Sequence, residues 1–209
     1  VRNLAPGGGL DVHIIDHAST YPPAVDWLNL DIDLGNRVHR YTNRHPQELW
    51  RTWGLREYVE PGERFIVTDC DVVVDESCPN DWVEQLEDIL RRYPNRRKVG
   101  LGLRTDDLPD HYQHRRKVIE WEHQHWMNPV EGNPPYLYGA AVDTTLALYQ
   151  PLDVFASFSL GPALRTGYPY MARHLSWYED SSNPSNEQRW YEQHMNRDFS
   201  HWIAPERYS

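Results

Sequence analysis

The sequence predicts an α/β fold with a mainly parallel sheet, on three observations. Short apolar or β-branched runs alternate with helical patterns from residue 10 to 103, the rhythm of βα units that lay strands parallel. One run, Phe65-Ile-Val67, is continuously apolar, as a strand covered on both faces is. It leads into Asp69-Cys-Asp71, and the carboxyl end of a strand is where open α/β sheets bind ligands.

The elements follow in order. Residues 1–9 read as the frayed end of a helix with a glycine stop at Gly7-Gly-Gly9. A strand is expected over 10–16, with His17-Ala-Ser-Thr20 as a polar turn. Pro22-Pro23 opens a short helix through Leu28, since proline is tolerated in a first turn. A second strand covers 37–41, a loop 42–45 and a short helix 46–53. After the acidic motif, Trp82, Val83, Leu86, Ile89 and Leu90 fall at helical spacing.

A further buried strand runs over 98–103 and ends in Arg104-Thr-Asp-Asp107. The helix expected over 111–126 carries His111, His114, His123 and His125, read as a solvated face in preference to a metal set. Gly132 to Pro135 is a loop. Tyr138-Gly-Ala-Ala-Val-Asp143 precedes a strand over 144–149, and two short strands lie within 163–178. A last helix starts at Ser185, an N-cap with Gln188 in the capping-box position. No repeat is visible, and 209 residues suit one domain.

Composition narrows the function. A formal charge of −10 argues against a nucleic-acid binder, whose affinity comes largely from Lys and Arg. No apolar run approaches the roughly 18 residues of a membrane span, and no signal-peptide pattern opens the chain. With only Cys70 and Cys78 there is no disulfide framework. The expectation is a soluble protein of the reducing cytoplasm. Nine Trp and thirteen Tyr are many for a chain that is 39% hydrophobic. Aromatics with a polar tip suit wet binding surfaces, and sugar rings can stack on them. For any single Trp a core position is the stronger expectation.

Asp69 and Asp71 are one residue apart. Carboxylates this close repel unless a cation sits between them, and a hard divalent ion holding a phosphorylated substrate is the natural partner. Together with Ile14-Ile-Asp-His-Ala-Ser-Thr20, Val99-Gly-Leu-Gly-Leu-Arg104, Val142-Asp-Thr-Thr-Leu-Ala-Leu-Tyr149 and Ala172-Arg-His-Leu-Ser-Trp-Tyr178, this motif resembles nucleotide-sugar glycosyltransferases of the GT-A fold. The likeness is to the bacterial and viral branch near glycosyltransferase family 2.

The resemblance implies a Rossmann-type α/β/α sandwich with a mostly parallel central sheet. Its nucleotide-binding half would be 1–106 and its acceptor-binding half 107–209. The family's first strand has no match here, and the resemblance implies that the chain opens inside the helix that follows it. Asp16 would bind base or ribose, with Ser19 and Thr20 shaping the turn and Asn43 and Arg44 near nucleotide and phosphates. Asp69 would face ribose or metal, and Asp71 would ligate Mn²⁺ or Mg²⁺. Arg104 and Asp106 would approach the donor sugar, and Gly139 would allow close backbone approach. Trp177 and Tyr178 would stack on the acceptor sugar, and His174 is either a metal or diphosphate contact or a hydrogen-bonded structural residue. The acceptor would be a glycan, a lipid-linked group or a protein.

An inverting transfer needs a carboxylate within reach of the acceptor hydroxyl. Asp180 ranks first, ahead of Asp143 and Glu187; a first-turn acid such as Glu187 also simply complements a helix dipole. Three other readings stand beside this one. Haloacid-dehalogenase-type phosphohydrolases also place such a motif behind an apolar strand, with Asp69 then the nucleophile, but usually on the first strand. A non-catalytic sugar-binding module leaves the clustered acids unexplained. A sugar-nucleotide synthase would want a basic residue after Gly7-Gly-Gly9, where Leu10-Asp11 stands.

Overall fold

The computed structural model describes residues 11–33, 37–41, 57–132, 136–142, 146–151 and 162–195. The helix expected over 46–53 therefore lies outside the described residues, as do Asn43, Arg44 and Asp143.

The first unit matches its expectation. Strand β1 (His13–His17) and strand β2 (Arg37–Tyr41) pair in parallel, with Asp16 opposite Arg40. Helix α1 (Pro22–Asp33) crosses between them and runs five residues beyond Leu28. Among the described residues this pair stands as its own sheet.

Strands β3 (Phe65–Val67), β5 (Lys98–Gly100), β7 (Pro129–Glu131), β8 (Leu137–Tyr138), β9 (Ala147–Tyr149) and β10 (Ala163–Thr166) form a six-stranded sheet in the order β3-β9-β5-β10-β8-β7. A third sheet joins β4 (Val72–Val74), β11 (Met171–His174) and β6 (Gly102–Leu103) in the order β4-β11-β6.

The mostly parallel sheet is thereby corrected to a mixed one. In the larger sheet only β5 and β10 pair in parallel, and the other pairings are antiparallel. The βα rhythm did fix direction: β3 and β5 both oppose β9, so they run the same way. It did not fix adjacency, because β9 returns from far along the chain and fills the slot between them. β3 is consequently an edge strand among the described residues, and its Phe65, Ile66 and Val67 are only partly buried.

Helix α2 (Trp82–Arg92) is amphipathic as expected, with Trp82, Leu86, Ile89 and Leu90 buried. Those side chains join Val99, Leu148 and Leu164 in the main core. A smaller cluster of Val142, Ala147, Tyr149 and Ala163 packs with Phe65 and Val67, and Phe65 stacks on Tyr149 with ring centroids 5.1 Å apart. The 98–103 run divides at Leu101, which is fully buried. Gly102 is where backbones come too close for a side chain, since a Cβ there would lie 2.3 Å from the Thr166 carbonyl oxygen.

Helix α3 (Arg115–His123) continues as a 3₁₀ turn through Trp126. Its histidine face is only half solvated. His111 and His123 are exposed, but Glu122 is 3% exposed and its carboxylate meets the buried Arg165 guanidinium at 2.5 Å. His125 sits beside that pair, and burial, helped by the Arg165 charge, pushes its imidazole down to about 4. Helix α4 (Asn186–His194) is capped by Ser185, whose Oγ accepts from Gln188 N at 3.1 Å.

Candidate functional site

The acidic motif forms a tight turn between β3 and β4. Val72 N donates to Asp69 O at 3.3 Å, closing the loop that carries Asp69, Cys70 and Asp71. Strand β11 holds the turn from the other side: Leu175 N donates to Asp71 O at 2.7 Å, and Asp75 N to Met171 O at 3.0 Å. Each bond extends the β4–β11 ladder past its paired residues, which run from Ala172 opposite Val74 to His174 opposite Val72.

That ladder brings His174 to the motif, its Nδ1 3.4 Å from Asp71 Oδ2. Ser176 Oγ lies 2.6 Å from the same nitrogen. Both neighbours sit on one nitrogen, so this is not a serine–histidine–aspartate relay, which needs them on opposite ring nitrogens.

Helix α4 adds an acid to the same region. Glu187 is in its first turn, and its charge reaches Cys70. Although Cys70 as a residue is exposed, desolvation of its sulfur raises the thiol, and Asp71, Asp69 and Glu187 raise it further. One turn on, Trp190 meets Tyr21 with ring centroids 5.8 Å apart. Tyr21 follows the turn after β1, so α4 links the Asp16 turn to the acidic motif.

Asp16 is 4% exposed and both its oxygens are engaged: Oδ1 accepts from Ser19 N at 2.9 Å and Oδ2 from Arg40 Nε at 3.0 Å. Burial alone would raise its carboxyl, but the bonds from Ser19 and Arg40 hold it below the ordinary value. These contacts build the turn, in which Ala18 takes a left-handed φ of 59°. Ser19 and Thr20 stand exposed at its surface.

Below the motif lies a charged network, joining Arg104 and Asp106 to Asp75, Asp107 and Arg173, that no local sequence pattern announces. Asp75, 3% exposed, accepts from Ser77 N at 2.9 Å and Ser77 Oγ at 2.5 Å, from Arg104 at 3.2 Å and from Arg173 Nε at 2.6 Å. Arg104 also makes a two-pronged contact with Asp106, both bonds at 3.0 Å. Asp107 accepts from Arg173 at 2.5 Å and from Tyr178 OH at 2.6 Å. Burial would raise the Asp75 carboxyl, but Ser77, Arg173 and Arg104 draw it down to about 2. The signal was present as acids at two strand ends, Asp75 and Asp106-Asp107, with Arg173 in a third strand; nothing local announced that they meet.

Several expected roles change. Trp177 is 3% exposed and stacked on His174 at 4.8 Å, so it is a core residue with no face for an acceptor sugar. Tyr178 is partly buried, and Arg173 covers its ring at 5.5 Å. Arg104 turns its donors toward Asp75 and Asp106. Gly139 does permit a close backbone approach, but to Asn128: its N donates to Asn128 O at 2.8 Å, and a Cβ would lie 2.6 Å from Asn128 Nδ2. Asp180 holds its own turn, accepting at Oδ1 from Ser182 N at 2.9 Å and Ser182 Oγ at 2.7 Å. Those bonds lower its carboxyl. Glu179 accepts from Ser185 N at 2.5 Å, the reciprocal bond that the capping box would have drawn from Gln188.

Among the described residues no group of three or more His, Cys, Asp and Glu is gathered to hold a metal ion. Asp71 and His174 form an adjacent pair of donors. Magnesium-type sites often draw one or two carboxylates from the protein and further oxygens from substrate phosphates, and a pair fits that pattern better than a closed cage. No family model matches the chain, and no curated protein or solved structure matches it.

Proposed function

We propose that the chain is a metal-dependent glycosyltransferase of the GT-A type, moving a sugar from a nucleotide-diphosphate donor to an acceptor hydroxyl with inversion. The observation that supports it most is the approach of His174 to Asp71 at the turn behind β3, with the Glu187 charge felt at Cys70 in the same turn and Tyr21 meeting Trp190 of α4. Asp71 and His174 would hold Mn²⁺ or Mg²⁺. Such a cation, when bound, supplies neutralisation of charge growing on the leaving diphosphate.

The geometry favours Glu187 over Asp180 as the group that takes the acceptor's proton. Asp180 is occupied by Ser182 and held at a lowered pKa, which makes it a weak proton acceptor at neutral pH. Glu187, in the first turn of α4, has a charge that acts on the Cys70 thiol. Mn²⁺-dependent stabilisation by one nucleotide sugar in a thermal-shift panel, with transfer or slow donor hydrolysis, is the expected result. Phosphatase turnover on simple phosphate esters that is lost in Asp69→Asn would instead establish the phosphohydrolase reading and overturn this one.

A further inference from the structure

We infer that Asp75 is a positioning residue, holding β4 and β11 in the one register that sets Asp71 beside His174. The metal readout below rests on the proposed function; the inference itself rests on the ladder. Strand β4 has three residues and β11 four, so backbone pairing alone defines their register weakly, and a slip of one residue turns side chains to the opposite face. Pairing sets Arg173 opposite Val73, which makes Arg173 and Asp75 diagonal neighbours on one face. Their 2.6 Å bond locks that diagonal.

Arg104 closes the third side. It follows β6, its backbone N donates to Ala172 O at 2.9 Å, and its guanidinium reaches Asp75. One carboxylate thus pins all the strands of the small sheet. Asp75 is four residues after Asp71, and Arg173 immediately precedes His174, so the lock acts on both arms that carry the candidate ligands. A buried ion cluster is weak evidence for stability, because desolvation offsets most of its attraction; fixing one arrangement among several is its best-attested use.

The test reads the His174 imidazole in the full chain by ¹⁵N NMR, its signals assigned by their loss in His174→Gln. Asp75→Asn is expected to shift them, while Leu86→Ala, which destabilises the same core from α2, leaves them in place. No shift in Asp75→Asn overturns the inference, and so does an equal shift in both variants. Should Asp75→Asn not fold, Arg104→Gln removes the third-side bond under the same criterion.

Added Mn²⁺ separates the two claims. Broadening of the His174 signals in the unsubstituted chain, with affinity weakened about 10- to 100-fold in Asp75→Asn as for other groups that orient ligands, supports both. Absence of broadening overturns the metal reading, and the imidazole shifts then decide the positioning role. Broadening with unchanged affinity in Asp75→Asn overturns the positioning role.

Discussion

At the scale of single residues, Asp71 is the side chain whose removal says most. Asp71→Ala is expected to abolish Mn²⁺-dependent binding of a nucleoside diphosphate in calorimetry while leaving the far-ultraviolet circular dichroism unchanged. Unaltered UDP and TDP binding would remove the metal role. Glu187→Gln is expected to slow transfer by about 10²- to 10⁴-fold, the usual range for a general base, whereas Asp180→Asn, which keeps an oxygen for Ser182, stays within a few-fold of the parent rate. Two groups contribute strongly to the acid response. His125 is depressed from 6.5 to about 4, so the neutral form belongs to the fold and stability falls as pH drops between those values. Asp75 is depressed from 3.8 to about 2; its contribution is complete above the upper value and is lost as pH falls to the lower, by at most about 2 kcal/mol. Acid titration of chemical stability should show both windows. Glu122→Gln should alter the upper one and Asp75→Asn should flatten the lower. None of these pairings was legible in the sequence, because Glu122 and Arg165 are 43 residues apart and Asp75 and Arg173 are 98 apart. The one available hint was Val118, Glu122 and His125 at spacings of four and three, a helical face that packs inward.

At the scale of elements, what could be read was what is local. The α2 spacing, the β2 run and the Ser185 cap all match their expectations because each depends on residues within one or two turns of chain. The break of the 98–103 run into β5 and β6, and the reversal of β9, depend on partners such as Leu146 and Ala172 that arrive much later. The same distinction separates the site residues. The Asp16 turn and the Asp69–Asp71 turn were visible as motifs, while the inward placement of Trp177 was not. Local elements also give the cleanest stability tests. Ser185→Ala should destabilise by about 1 kcal/mol through loss of the cap, measurable by urea unfolding. Ala18→Gly should stabilise by about 0.5–1 kcal/mol, since a left-handed φ burdens alanine and not glycine.

At the scale of the whole molecule, the described residues build three sheets, and one stretch of chain serves two of them. Lys98–Gly100 pairs with β9 and β10, Gly102–Leu103 pairs with β11, and Leu101 between them is fully buried and bonded through its N to Leu146 O at 3.1 Å. Among the described residues no helix is long and apolar enough to cross a membrane. The junction at Leu101 bears on how the chain tolerates changes of length. A residue added or deleted between 98 and 103 cannot be absorbed at either end, because each end is already registered against different strands. A scan of single-residue insertions and deletions read by soluble yield should therefore find this segment closed to both, while the exposed Gly132 accepts them.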